Sequence, residues 1–198
     1  EGMKLIVADP RLAEVGQLAD IYLPVKPGED PALLAGMLNV IFTEELYDRN
    51  FVSAHVDGLD ELKDAVAAFT PEVAAERAGV ETDQLVAAAR MFANGSKGCA
   101  VTGTGPEMAG NGTLTEYLVT CINTVCARFK QEGEKCGVPG VFTIQMGEKR
   151  AQVAPPAPMF GVEGMAKSRF RGLGQLLFEM PCNVMADEIL TQGEGQIR

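Results

Sequence analysis

Three short stretches of the sequence combine turn-forming residues with side chains that could bind an anionic ligand. They are Asp9-Pro10-Arg11, Lys26-Pro27-Gly28-Glu29-Asp30 and Gly103-Thr104-Gly105-Pro106. Each follows an apolar run that reads as a strand, and parallel sheets bind their ligands at the carboxyl ends of strands. The three stretches therefore supply the candidate binding residues of this chain.

The carboxylate of Asp30 has two interpretations. It could accept both the N1–H and the exocyclic amine of a guanine edge, because one carboxylate satisfies two adjacent donors. The more common role would be a helix N-cap, since Pro31 is a good first helical residue. Asp9 has the same ambiguity, and Arg11 could hold a phosphate or pair with a nearby acid.

Gly103-Thr104-Gly105 lies between a predicted strand and a predicted helix. Two glycines there would let the backbone approach a phosphate, with its N–H groups as donors. An ordinary turn is as good an explanation, because the third glycine of the dinucleotide fingerprint is not at its usual place.

The elements that must position these residues indicate an α/β fold. The runs Met3–Ala8, Ala19–Val25 and Lys97–Thr102 are short and continuously apolar, which is typical of parallel strands buried between helices. Helical patterns fill most of the remainder. The sequence predicts them at these places: from Asp30 to Phe42, Asp48 to His55, Leu59 to Phe69, after Thr70, after Thr82, Thr115 to Phe129, Gly174 to Phe178 and Val184 to Leu190.

Composition excludes several classes of protein. The chain has 198 residues, 46% of them hydrophobic, and a net charge of −10. It is too apolar for a disordered protein and too acidic for a bulk attraction to nucleic acid, and no apolar run predicts membrane insertion. Between Arg128 and Arg171 bases outnumber acids; this segment could face an anionic ligand or be an ordinary solvated loop.

The sequence gives little support for a metal site or for a nucleophilic catalytic residue. The five cysteines form no CxxC pair, and we interpret Cys99 and Cys182 as buried apolar residues and His55 as a surface residue. No residue is nominated as a metal ligand or catalytic group. Both ends of the chain fall at predicted strands, the last at Gln196–Arg198, so we expect a segment of a longer protein.

The chain resembles the molybdopterin oxidoreductases, the dimethyl sulfoxide reductase superfamily that includes formate dehydrogenases and nitrate reductases. The resemblance is densest over residues 3–112. It is carried by these motifs: Asp9-Pro10-Arg11, Ala19-Asp20, Leu23-Pro24, Pro27-Gly28-Glu29-Asp30, Leu46-Tyr47-Asp48, Phe51-Val52, Phe69-Thr70-Pro71-Glu72, Gly79-Val80, Ala88-Ala89-Arg90-Met91-Phe92-Ala93 and Gly103-Thr104-Gly105. Beyond Asn123, the nearest candidate for the family's Asn-Gly stretch, the resemblance thins.

The resemblance implies a three-layer, Rossmann-like parallel-sheet domain with an inserted helical segment. Residues 1–57 and 97–198 would form the cofactor-binding core, with 130–174 an irregular excursion and 58–96 a helical segment packed on it. The cofactor would be molybdopterin guanine dinucleotide with molybdenum or tungsten. Asp9, Arg11, Pro27, Gly28 and Asp30 would bind guanosine, ribose or phosphate. Gly103, Thr104 and Gly105 would lie against a second cofactor.

The resemblance also implies what lies elsewhere. The metal ligand and any 4Fe-4S cluster would be upstream, and the partners would be the remaining domains of the same polypeptide and possible electron-transfer subunits. The full-length protein would be an oxidoreductase, cytoplasmic or periplasmic, and the segment alone would be inactive. Two alternatives stay open: a non-catalytic scaffold subunit of a redox complex, and an unrelated α/β nucleotide-binding module.

Overall fold

The computed structural model describes residues 2–136, 149–152, 166–175, 179–180 and 182–197. They fall into two compact units, Glu1–Lys130 and Gln131–Arg198. The predicted division into a discontinuous core and the helical segment 58–96 is a different way of dividing the chain, and it stays a prediction.

The first unit is mostly helical around a small sheet. Its elements in chain order are β1 (Ile6–Ala8), α1 (Glu14–Gln17), β2 (Ile21–Leu23), α2 (Asp30–Thr43), α3 (Arg49–His55), α4 (Leu59–Val66), α5 (Pro71–Ala78), α6 (Thr82–Asn94), α7 (Thr104–Glu107) and α8 (Gly112–Val125). The predicted mixture of helices and strands is confirmed, with helices in the majority among the described residues.

The two strands of the first unit are parallel neighbours. Ile6 pairs with Ile21 and Ala8 with Leu23, as the two apolar runs predict. The third predicted strand, Lys97–Thr102, is wrong: that segment belongs to no strand of the described structure. The sheet described is thus two strands wide.

Helix α2 is the centre of the hydrophobic core. Its side chains Leu33, Leu38 and Ile41 are almost fully buried, and the helix packs against α4, α5, α6 and α8. The α5 contact is close at Gly36, where an added Cβ would lie 2.3 Å from the Cβ of Ala74. Only glycine fits there, because real Cβ atoms do not approach that closely.

Two helix starts in this unit follow the expected capping chemistry. The Asp48 carboxylate accepts from the Phe51 N–H at 2.9 Å, and the Thr70 hydroxyl accepts from the Val73 N–H at 3.4 Å. Side-chain acceptors at these positions satisfy backbone donors that the first helical turn leaves free. The helices predicted to begin here are confirmed at α3 and α5.

Among its described residues, the second unit contains a two-residue antiparallel ladder, β3 (Lys135–Cys136) with β4 (Lys149–Arg150), and one helix, α9 (Met185–Leu190), after a short 3₁₀ turn. The helix predicted over Val184–Leu190 is confirmed. Gly174 instead forms an antiparallel bridge with Lys167, so the helix predicted from Gly174 is wrong at its start, and residues 176–178 lie outside the described part.

An ionic network joins two described segments of this second unit. Glu188 and Ser168 are both buried. The Glu188 carboxylate accepts from Arg169 Nε at 2.8 Å and from the Ser168 hydroxyl at 2.7 Å. The Arg169 hydrogen bond, followed by that of Ser168, lowers the pKa of Glu188. The network therefore ties the turn at 168–170 to α9.

The C-terminal strand predicted at Gln196–Arg198 is not found, since Gln196 and Ile197 lie outside any strand and Arg198 is outside the described residues. Across the part of the chain that is described, no helix has the length and apolarity needed to cross a membrane.

Candidate functional site

The carboxyl ends of β1 and β2 lie at one edge of the sheet because the strands are parallel. Asp9 directly follows β1, and residues 24–29 connect β2 to α2; we call residues 24–29 the strap. The structure therefore brings two of the three predicted stretches to the same edge.

Asp9 shapes the turn after β1. Its Oδ1 accepts from the Arg11 N–H at 2.7 Å, its carbonyl accepts from the Tyr22 hydroxyl at 2.8 Å, and its N–H donates to the Leu23 carbonyl at 3.1 Å. One carboxylate oxygen is thus used locally, as in an Asx turn. Arg11 lies in this turn and is exposed.

The strap is fastened to the C-terminal end of α5. The Lys26 N–H donates to the Ala78 carbonyl at 2.8 Å, and Arg77 Nη2 lies 3.1 Å from Glu29 Oε2. Gly28 has φ +88°, with no atom near the place of a Cβ. Glycine is required at position 28 because of this backbone conformation, and not because a side chain would lack space. The predicted pair Pro27–Gly28 therefore lies in a shaped, anchored turn.

Asp30 is the first residue of α2, and Glu29 holds the cap position. The interpretation of Asp30 as the N-cap is therefore wrong, because the helix already includes Asp30. The carboxylate is half-buried, and burial raises its pKa, opposed only by the hydrogen bond from its own backbone N–H. No hydrogen bond or ion pair joins it to another side chain among the residues that the structure describes.

This arrangement has a direct chemical consequence. A partly buried, ionised carboxylate that has only its own backbone N–H as a described donor is unfavourable, and a ligand that supplies further N–H groups would relieve the penalty. The strap holds its position beside the strand ends through α5. Asp30 is thus a half-buried acceptor at this edge that pairs with no other described side chain.

The third predicted stretch belongs to a different surface. Gly103 is the cap residue of α7, while Thr104 and Gly105 are in its first turn. This short helix packs mainly on α8. The Cβ positions at Gly103 and Gly105 meet no atom within 4 Å, so the backbone there is open to approach. The structure does not join this stretch to the strand-end edge through any main packing contact.

Asn123 is the residue that holds the segment before Gly103. From α8, its side-chain amide accepts from the Ala100 N–H and donates to the Ala100 carbonyl, both at 2.8 Å. The amide thus replaces the neighbouring strand that Lys97–Thr102 was predicted to have. The sequence marked Asn123 only as a motif position; an amide on the half-buried side of α8 was the available signal for this clamp.

Two carboxylates surround the hydroxyl of Thr102. Glu107 Oε1 lies 2.7 Å and Glu116 Oε2 lies 2.6 Å from Thr102 Oγ1. Beside them an open depression of about 600 Å³ is lined by residues 109–114 with Glu107 and Tyr117. The hydroxyl can donate to only one carboxylate at a time, and all three groups lie near the surface.

The cysteines divide by exposure. Cys121 and Cys126 are buried in or beside α8, and burial raises the pKa of the Cys126 thiol to about 11. Cys99 and Cys182 are exposed, so their interpretation as buried apolar residues is wrong. His55 is exposed, as predicted. Within the described ranges no group of three or more His, Cys, Asp or Glu side chains is placed to hold a metal ion.

Known proteins are similar to this chain in sequence. The chain is 36% identical over 152 residues to acetylene hydratase of Syntrophotalea acetylenica, covering 74% of this chain and 21% of the relative. It is 30% identical over 171 residues to the thiosulfate reductase molybdopterin-containing subunit of Salmonella typhimurium, covering 84% of this chain and 22% of the relative.

The fold has a solved counterpart. Acetylene hydratase from Pelobacter acetylenicus superposes with a TM-score of 0.63 at 32% identity, over 68% of this chain and 20% of that one. No family model matches the chain. The chain spans about a fifth of the length of the curated relatives it matches.

Proposed function

This chain belongs to the molybdopterin oxidoreductase family, and from that premise we propose that it forms part of the dinucleotide-binding region of a molybdenum or tungsten oxidoreductase. Molybdopterin guanine dinucleotide would supply the metal and its redox chemistry. The residues of this chain would bind and orient the nucleotide end, and the described residues hold no metal ligand set of their own.

The observation that supports the proposal is the state of Asp30. Guanine presents two adjacent N–H donors, and a carboxylate accepts both. Asp30 is half-buried, its burial raises its pKa, and it makes no side-chain pair among the described residues. These properties fit a carboxylate whose donors come from a ligand.

The neighbouring residues fit subsidiary roles. Pro27 and Gly28 would shape the turn under the base, and the anchored strap would keep Asp30 from moving. Asp9 fixes the turn that presents the Arg11 guanidinium, which is suited to a phosphate or a ribose-side contact. Gly103, Thr104 and Gly105, on the open backbone of α7, would approach a second cofactor.

The same proposal extends to features of the longer protein that lie outside this chain. The three-layer, Rossmann-like sheet, the remaining domains, a 4Fe-4S cluster and electron-transfer subunits would belong to the longer protein, cytoplasmic or periplasmic. The 198-residue chain alone would show no oxidoreductase activity.

The test is nucleotide binding by this chain at neutral pH. We expect calorimetric or NMR titration to show GMP binding in preference to AMP, since adenine lacks the paired donors. Asp30→Asn should weaken GMP binding about 10- to 100-fold, the value of a good bidentate contact. The matched control is Asp57→Asn, at an exposed aspartate, which should leave binding unchanged. Equal binding of GMP and AMP, or an indifferent Asp30→Asn, would contradict the proposal.

A further inference from the structure

Lys26 lies in the strap, four residues before the carboxylate assigned to guanine. A lysine beside an anionic nucleotide is expected to contact phosphate, as lysines do in many phosphate sites. The ammonium of Lys26 instead donates to the Glu76 carbonyl at 3.3 Å, near the C-terminal end of α5. The side chain is therefore already engaged within the protein.

The aliphatic stem of Lys26 lies against Gly79. A Cβ at Gly79 would lie 2.6 Å from Lys26 Cε, 2.9 Å from its Cγ and 3.0 Å from its Cδ. Gly79 is the C-cap of α5 and has φ +73°. Glycine at this position thus accommodates the left-handed backbone and leaves room for the lysine stem.

The C-terminal end of α5 suits the groups that Lys26 brings to it. The last carbonyls of a helix lack intrahelical donors and carry the negative end of the helix dipole. The Lys26 N–H donates to the Ala78 carbonyl at 2.8 Å, and the Lys26 carbonyl accepts from the Glu29 N–H at 3.0 Å. Backbone and side chain of Lys26 therefore bind the same helix end, and one further turn connects them to the residue before Asp30.

We propose that Lys26 is a positioning residue for nucleotide recognition, which fixes the strap on the end of α5 and thereby places Asp30, and that it does not contact phosphate. The inference rests on the proposed function, because it takes Asp30 as the group that binds guanine. A strap that is fixed before binding spares the ligand the cost of ordering it.

Titrations of Lys26→Met with guanosine and with GMP test this role, because guanosine carries no phosphate. Methionine keeps an unbranched stem and removes the ammonium. We expect both ligands to bind about 3- to 10-fold more weakly. The preference for guanosine over adenosine should fall as well, because a displaced Asp30 no longer matches the two donors of guanine. Lys26→Arg should retain most of the affinity, since a guanidinium can also donate to the Glu76 carbonyl.

The matched control is Lys4→Met, which removes the same charge and a lysine hydrogen bond, to Asp20 at 2.7 Å. Lys4 and Asp20 precede β1 and β2, at the opposite ends of the strands from the strap, so both affinities should stay unchanged. Circular dichroism melts establish that each variant is folded at the titration temperature.

Two results would overturn the inference alone. A Lys26→Met loss for GMP without a loss for guanosine would identify a phosphate contact, and unchanged affinity for both ligands would show that the lysine does not place Asp30. Absence of guanosine binding by the wild type would contradict the proposed function itself, and this inference with it.

Discussion

The strap and the segment before Gly103 both lead from an extended run into a helix, but different forces hold them. The strap follows a true parallel ladder and is fastened to α5 by a backbone hydrogen bond and an ion pair. The segment 97–102 has no ladder: the Asn123 amide pairs with the backbone of Ala100, and the Thr102 hydroxyl contacts Glu107 and Glu116. Of these two strand-like sequences, only the one with a neighbouring strand forms a strand.

The largest effect should come from the close contact between α2 and α5 at Gly36. Gly36→Ala places a Cβ against Ala74 and forces α2 and α5 apart, which should lower the free energy of unfolding by about 3 kcal/mol. The control is Gly98→Ala, in the Asn123-held segment, where the new Cβ meets no atom within 4 Å. It should change stability by less than about 0.5 kcal/mol. Urea unfolding followed by far-UV circular dichroism measures both, and equal losses would contradict the packing argument.

The clamp itself gives the second prediction. Asn123→Leu keeps the side chain's size and removes both hydrogen bonds to Ala100, leaving a backbone N–H and C=O unpaired in a half-buried place. We expect a loss of about 1–2 kcal/mol and faster exchange of the Ala100 amide, while the Lys26 amide on the strap keeps its protection. Equal loosening of both segments would show that they are not held independently.

The difference between the two regions explains what could be predicted from the sequence. Strands β1 and β2 and the starts at Thr70 and Asp48 depend on local pattern and capping, and they were predictable. The error at Lys97–Thr102 arose because an apolar run does not reveal whether its hydrogen-bond partner is another strand or a side-chain amide 23 residues away. The sequence also could not show that position 36 must be glycine, because that requirement comes from contact with Ala74 on a different helix.

The candidate site shows the same limit. The order Pro27, Gly28, Asp30 predicted a turn followed by an acidic residue, but helix-capping preferences alone favoured Asp30 as an N-cap. The cap position falls one residue earlier because α2 begins at Asp30 itself. Which acid faces solvent and which is half-buried depends on how α2 sits on α5, and this is a tertiary property.

The smallest expected effect is the pH dependence due to Asp30. Burial raises its folded pKa above the ordinary value of 3.8, so its favourable contribution is complete at low pH and is lost as the pH rises through the folded pKa. Asp30→Asn should therefore match the wild type in melting temperature below about pH 4 and exceed it increasingly toward neutral pH. Thermal unfolding across this range, with Asp57→Asn as control, measures the difference. A difference that widens on acidification would contradict the burial argument. Saturating GMP should narrow the gap at neutral pH, because the donors of a bound guanine stabilise the ionised carboxylate that the free protein disfavours.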